Sequence, residues 1–178
     1  MSPFLYLLPI LLGAVLNYIS LYYEHLRNYR IPIHSGLFGQ NKTWAGMLLL
    51  VLWSAAGGLI TWLLNALYFH FPVFQSLGQS LLIGAILGLA WALGELPNSY
   101  LKRRFGIRPG EVGQGPKAVL FSVFNQFDSP MACGIFGYLF CYDISIGTTL
   151  QLILLGGVLH FTLNTVLYFA RVRKQLPF

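Results

Sequence analysis

Two carboxylates and a small set of amines carry most of the chemical potential of this 178-residue chain. Glu95 closes a long apolar run, and Ser99 and Lys102 follow at i+4 and i+7. On a continuous helix an acid, a hydroxyl and an ammonium would then share one face. Asn125 and Asp128 stand three residues apart in the next apolar run and project to one side. Ionisable groups at membrane depth cost about 2.5–3.5 kcal/mol each on insertion scales, so they face a protein interior or a watery cavity where they have a partner or a task. Between the two acids runs a basic loop containing Gly106, Pro109, Gly110, Gly113, Gly115 and Pro116, a composition close to that of phosphate-binding loops. An earlier loop, residues 24–43, holds Pro32, Gly36 and Gly39, which should break any helix and leave backbone amides free for an anion. It ends in Asn41, Lys42 and Thr43.

Such a set suits a limited range of reactions. No GxSxG, no HExxH and no cysteine beside a usable base is present. Carboxylates, bases and glycine loops together fit phosphoryl or nucleotidyl transfer, in which the protein positions phosphates and neutralises charge. Mg²⁺ would be held by one or two carboxylates plus the substrate's own oxygens, and the carboxylates available are Glu95 and Asp128. The Lys102-Arg103-Arg104 run also has a plainer reading, as an interfacial helix snorkelling towards acidic lipid head groups. His160 and Asn164 lie one turn apart on a stripe with Arg171, with Tyr168 beside it; a hydrogen-bonded packing pair and a functional pair both fit that spacing.

The elements that must position these residues are apolar helices. The chain is 56% hydrophobic and 9% charged, which is a membrane composition and not that of a water-soluble domain. A span needs about 20 mainly apolar residues, and five runs qualify, at about 3–23, 44–71, 76–96, 119–142 and 146–170. The first lacks preceding bases and a convincing cleavage site, so it reads as a span and not as a signal peptide. The expectation is one all-α polytopic domain over residues 1–178. Every base lies in the first loop (Arg27, Arg30, Lys42), the third (Lys102, Arg103, Arg104, Arg108, Lys117) or the tail (Arg171, Arg173, Lys174). The positive-inside rule places those segments in the cytoplasm and the N-terminus outside, so the active face of a cell-membrane (inner-membrane) protein would be cytoplasmic.

Local signals refine this outline. Pro97 should kink or restart the third helix, and Pro130 frees a carbonyl one turn back in the fourth. Either a broken polar helix lines a cavity there, or the span begins after Pro130 with Asp128 as its cap. Gly84 and Gly88 form a GxxxG pair suited to tight helix packing. Cys133 and Cys141 are too far apart along one helix to bridge. The string GLFGQNKT lacks the glycine and the strand of a P-loop, and the sequon Asn41-Lys42-Thr43 lies on the cytoplasmic side.

Several blocks, spread over most of the chain, resemble the CDP-archaeol synthase family, membrane cytidylyltransferases related to CTP:phosphatidate cytidylyltransferases. LFGQNKTWAG at 37–46 resembles its FGxNKTWRG block, and GELPNSYLKRRFGIRPG at 94–110 resembles its GDxxxSxxKRRxGxxPG block. FNQFD at 124–128 resembles a D-Q-x-D element, and His160, Asn164, Tyr168, Lys174 and Leu176-Pro177 resemble its closing HxxxN...Y...K..P pattern. The resemblance implies that Asn41, Lys42 and Thr43 help hold the nucleotide, with Ser99, Lys102 and Arg103 around its triphosphate. It implies Glu95 and Asp128, with the carbonyl of Asn125, as Mg²⁺ ligands, and Asp128, Glu95 and Lys102 as the catalytic group. The substrates would be CTP and a phosphorylated lipid in the bilayer, with no nucleic acid. The sequence departs from the pattern at four places: Glu95 stands for Asp, Asn98 for a common Lys, Asn125 for the first Asp of D-Q-x-D, and Ala45 for a common Arg. Negative and positive charge are thus lost together. Beside the transferase stands a second class, a family member weakened in catalysis that acts as a lipid- or nucleotide-binding membrane protein. A transporter is disfavoured by the gathering of polar residues towards one face and by the lack of an inverted repeat.

Overall fold

The computed structural model describes residues 4–22, 30–70, 72–111, 115–169 and 171. Six α-helices account for most of them: α1 (Phe4–Tyr22), the single-turn α2 (Ser35–Phe38), α3 (Trp44–Leu64), α4 (Leu77–Arg104), α5 (Pro116–Phe136) and α6 (Ile146–Phe169). Wider π-turns extend α3 through Asn65–Phe69 and α5 through Gly137–Cys141. No strand forms among the described residues; Pro32 and Thr43 make an isolated antiparallel bridge. The protein is all-α. Three helices are long and apolar enough to cross a membrane, Trp44–Phe69, Leu77–Arg104 and Ile146–Phe169, and Phe4–Ser20 is a shorter apolar helix.

Small residues decide which helices meet. A Cβ on Gly57 would overlap the carbonyl of Pro9 in α1, one on Gly58 that of Ser80 in α4, and one on Gly84 that of Ser54 in α3. Only hydrogen fits where two helix backbones approach this closely, and dispersion contacts then hold the pair together without a hydrophobic driving force. α1, α3 and α4 form one layer in this way. Gly94 does the same between α4 and α5, where a Cβ would stand 2.7 Å from the carbonyl of Asp128. Gly157 of α6 makes room for the ring of Phe127, so α6 packs on α5.

Polarity is distributed in the manner of a bilayer protein. Ser54, Thr61, Ser80, Asn98, Gln126, Asp128, His160 and Asn164 are buried, whereas Leu48, Leu52, Leu63, Leu82, Leu154 and Val158 are exposed. A hydrocarbon solvent tolerates the second group outside, and the first must find partners within.

Both prolines are accommodated within continuous helices. α4 passes through Pro97 without restarting, and α5 begins at Pro116 and passes through Pro130, so Asp128 lies within the helix and does not cap it. Gly36 lies inside α2 instead of breaking it, and the amides of Leu37, Phe38 and Gly39 are bonded to His34 and Ser35. They are therefore not open to an anion. Arg171 lies beyond the end of α6 with φ 57°, off the stripe of His160 and Asn164.

Candidate active site

The site is built from the first basic loop and the five long helices α1, α3, α4, α5 and α6. Thr43 caps α3: its side chain accepts from the amide of Gly46 at 3.1 Å, with φ −120° and ψ 150° placing it in extended backbone. On either side of it a short clasp closes, from Ile33 N to Lys42 O at 2.8 Å and from Trp44 N to Ile31 O at 3.0 Å. This fixes the backbone of Lys42 at the mouth of the bundle. Gly39, at φ 86°, lets the same loop lie against the other basic loop: a Cβ there would meet the ring of Pro109 at 3.0 Å and Nη1 of Arg103 at 3.7 Å.

Beneath the clasp lies a cavity of about 280 Å³. Asn41, Lys42 and Thr43 line it from the loop, Trp91 and Glu95 from α4, Asn125 and Asp128 from α5, and His160 from α6, with Asn17 and Tyr18 of α1 opposite. Lys42 Nζ forms an ion pair with Glu95 Oε2. Trp91 Nε1 donates to the other oxygen, Oε1, at 3.2 Å. Asp128 takes the amide of Ser129 on Oδ1 at 2.7 Å, with the Ser129 hydroxyl at 3.2 Å, and Nδ2 of Asn98 on Oδ2 at 2.8 Å. Every carboxylate oxygen thus has a donor, and Glu95 Oε1, Glu95 Oε2 and Asp128 Oδ2 each keep lone-pair capacity for another.

Several residues named from the sequence stand on this wall. Both carboxylates, Asn125, the Asn41-Lys42-Thr43 trio and His160 surround a single space. Ser99, Lys102 and Arg103 are not on that wall. Lys102 reaches it indirectly, donating to Asn125 Oδ1 at 3.0 Å. Arg103 keeps Nε and Nη1 buried without a hydrogen-bond partner among the described residues, beside Gly39. Asn164 is fully buried: its Nδ2 donates to Gln126 Oε1 at 3.2 Å and its Oδ1 accepts from Tyr18 OH at 3.4 Å. His160 Nδ1 lies 3.3 Å from the carbonyl of Gln126, and its ring meets Trp91 edge-on at 4.8 Å. Tyr168 lies in the last turn of α6, and Lys174, Leu176 and Pro177 fall outside the described residues.

Asn98, Gln126 and Trp91 are residues that spacing alone does not single out. Asn98 is at i+3 from Glu95 where Ser99 is at i+4, and both flank the same helical face. The side on which α5 packs settles the matter in favour of Asn98. Trp91, one turn before Glu95, is the one signal of the three that the same helical stripe carries.

Fold and site together define a class: an all-helical protein with membrane-length helices and an apolar exterior, holding a cavity lined by two acids, amides and a lysine beneath a basic loop. Residues 33–177 match the family model described as "CarS-like: CDP-archaeol synthase", and the chain belongs to that family. It is similar to the CDP-archaeol synthase of Methanoregula boonei, 25% identical over 147 residues, covering 78% of this chain and 80% of that protein. It is likewise similar to the CDP-archaeol synthase of Pyrococcus furiosus, 26% identical over 134 residues, covering 74% and 70% respectively. No solved structure matches the chain significantly.

Proposed function

We propose that this protein is a membrane cytidylyltransferase that transfers CMP from CTP to a lipid phosphate, giving a CDP-activated lipid and pyrophosphate. The observation that carries the reading is the convergence of Lys42, Glu95 and Asp128, from a loop and two helices, on one cavity. Family membership supports it, because the matched relatives are named for making a CDP-lipid. In the reaction a lipid phosphate oxygen attacks the α-phosphorus of CTP, the bond from that phosphorus to the bridging oxygen breaks, and pyrophosphate departs. Catalysis of this kind is mainly positioning and charge neutralisation.

The donor set fits Mg²⁺. That ion is usually held by one or two carboxylates, with water and substrate phosphate completing its shell; Glu95 and Asp128 supply two, and no cluster of three His, Cys, Asp or Glu residues exists among the described residues. Mg²⁺, when bound, neutralises phosphate charge. Asn125 Oδ1 already accepts from Lys102 and Asn98, which takes up both its lone pairs and leaves the cation to the two acids. Lys42 holds the triphosphate, Asn41 and Thr43 line the nucleotide's place, and the unsatisfied guanidinium nitrogens of Arg103 await phosphate oxygens where the two loops meet. Lys102 orients Asn125, and His160 braces Trp91 behind Glu95.

The architecture proposed for this task has five membrane spans, the three long apolar helices together with α1 and α5, and a cytoplasmic active face on the base-rich side of a cell membrane. The test is pyrophosphate release by purified protein given CTP, Mg²⁺ and a panel containing phosphatidate and unsaturated geranylgeranylglyceryl phosphate. Release with at least one acceptor is expected. Release with none overturns the reading, and CTP binding that persists without metal or turnover would mark the weakened, binding-only member instead.

A further inference from the structure

Asn98 of α4 is 5% exposed and turns its amide towards α5. Its Nδ2 donates to Asp128 Oδ2 at 2.8 Å and to Asn125 Oδ1 at 3.3 Å. An amide nitrogen has two hydrogens, so both bonds form at once. The orientations of the two amides are not interchangeable. Asp128 only accepts when ionised, so the nitrogen of Asn98 must face it; Lys102 only donates, so the oxygen of Asn125 must face Nζ at 3.0 Å. Lys102 and Asn98 thus both donate to the one oxygen of Asn125, and Asn98 donates also to Asp128, so a network links the ammonium of Lys102 to the carboxylate of Asp128 through two neutral amides. Its ends carry opposite charges and its middle carries none.

We propose that Asn98 is a positioning residue for the carboxylate of Asp128, and that Asn98 and Asn125 are a matched neutral pair. The inference rests on the use of Asp128 proposed above. The physical reason is charge balance. A lysine in place of Asn98 would put an ammonium against Asp128, in a cluster that already holds Lys42 on Glu95 and Lys102 on Asn125, and compete with a cation for its oxygens. An aspartate in place of Asn125 alone would accept from Lys102 but crowd a second anion onto Asp128. Introduced together, the new ammonium and the new carboxylate satisfy each other and leave the summed charge of the cluster unchanged.

The experiment is a mutant cycle read in two ways. Mn²⁺ binding is followed by electron paramagnetic resonance with CTP present and no lipid acceptor; kcat and KM for CTP are measured with the acceptor that supports turnover. Removing a residue that orients a metal ligand typically costs about 10- to 100-fold in metal affinity or activity. Asn98→Ala is therefore expected to weaken Mn²⁺ binding about 10-fold and to lower kcat by a similar factor, with KM for CTP within about 3-fold of the parent. Asn98→Lys alone weakens Mn²⁺ at least as much, and Asn98→Lys/Asn125→Asp recovers to within about 3-fold of the parent, the non-additivity of residues in direct contact. Unchanged Mn²⁺ affinity in Asn98→Ala, or a double variant as weak as the two singles combined, overturns the proposal. If Asn98→Ala does not fold, the lysine–aspartate exchange and its two singles decide alone. Mn²⁺ binding that responds as expected in a protein that releases no pyrophosphate sinks the proposed reaction and leaves the role of Asn98 standing.

Discussion

Lys42 of the first basic loop is ion-paired with Glu95 of α4, 53 residues later, and each is the partner the other would have to share once substrate arrives. The lysine lines a cavity of about 280 Å³, and the carboxylate is one of the two acids in it. Without nucleotide the pair satisfies both charges. On the proposed function, nucleotide would draw Lys42 to phosphate and free Glu95 for the cation, which would couple the binding of the two ligands.

Lys42→Ala should weaken CTP more than it slows the bound complex. A hydrogen bond to a charged group contributes about 1.5–3 kcal/mol, so KM for CTP is expected to rise about 10- to 100-fold. Lys42→Arg keeps the charge and should recover part of the loss. Steady-state kinetics over a range of CTP concentrations measures this; an unchanged KM in Lys42→Ala would remove the lysine from the nucleotide site.

Asp128→Asn tests the cation assignment at nearly constant volume. The amide can still accept on one side but presents an NH₂ to a donor on the other and carries no charge. Turnover should fall by about 10²- to 10³-fold, the scale seen when one electrostatic stabiliser is lost, and Glu95→Gln should follow it. Treatment with a chelator should stop the parent enzyme and added Mg²⁺ should restore it. A rate unchanged by Asp128→Asn would contradict the assignment.

Helix packing can be tested with alanine at two glycines of α4. At Gly84 a Cβ would overlap the carbonyl of Ser54, so Gly84→Ala must push α3 and α4 apart, at a cost of about 1–3 kcal/mol from overpacking. At Gly78 a Cβ meets nothing within 4 Å, so Gly78→Ala should be neutral or stabilise the helix by up to about 1 kcal/mol. Thermal unfolding in detergent distinguishes them. Equal Tm values for the two variants would show that the close approach does not hold the layer together.

The brace between α5 and α6 should behave as a unit. Gln126→Leu leaves the amide of the fully buried Asn164 without its acceptor, which costs about 1–3 kcal/mol. Asn164→Leu takes from Gln126 Oε1 the amide donor it accepts from. The double variant, with both polar ends removed, should be less destabilised than the two single losses added, and an additive result in unfolding measurements would show that the two residues act independently.

Much of this molecule is legible along the chain. The rarity of charge within long apolar runs singles out Glu95 and Asp128, because hydrocarbon makes an idle carboxylate costly. Helical spacing puts Asn125 and Asp128 on one side, and the pattern of blocks points to the family. Periodicity is less informative one residue at a time: i+3 and i+4 both border the face that carries Glu95, so Ser99 and Asn98 are equivalent until α5 is seen to pack on the side of Asn98.

The sequence by itself therefore determined the helices, the residue types that must be sheltered inside them and the reaction class those types suit. Tertiary structure alone decided the partners: Lys42 for Glu95, Asn98 for Asp128, Gln126 for Asn164. The physical reason is that helical propensity and period are local, whereas pairing depends on which backbones can touch. That was settled by glycines that do no chemistry, Gly57 and Gly84 away from the acids and Gly94 beside them, whose missing side chains let the helices close around the site.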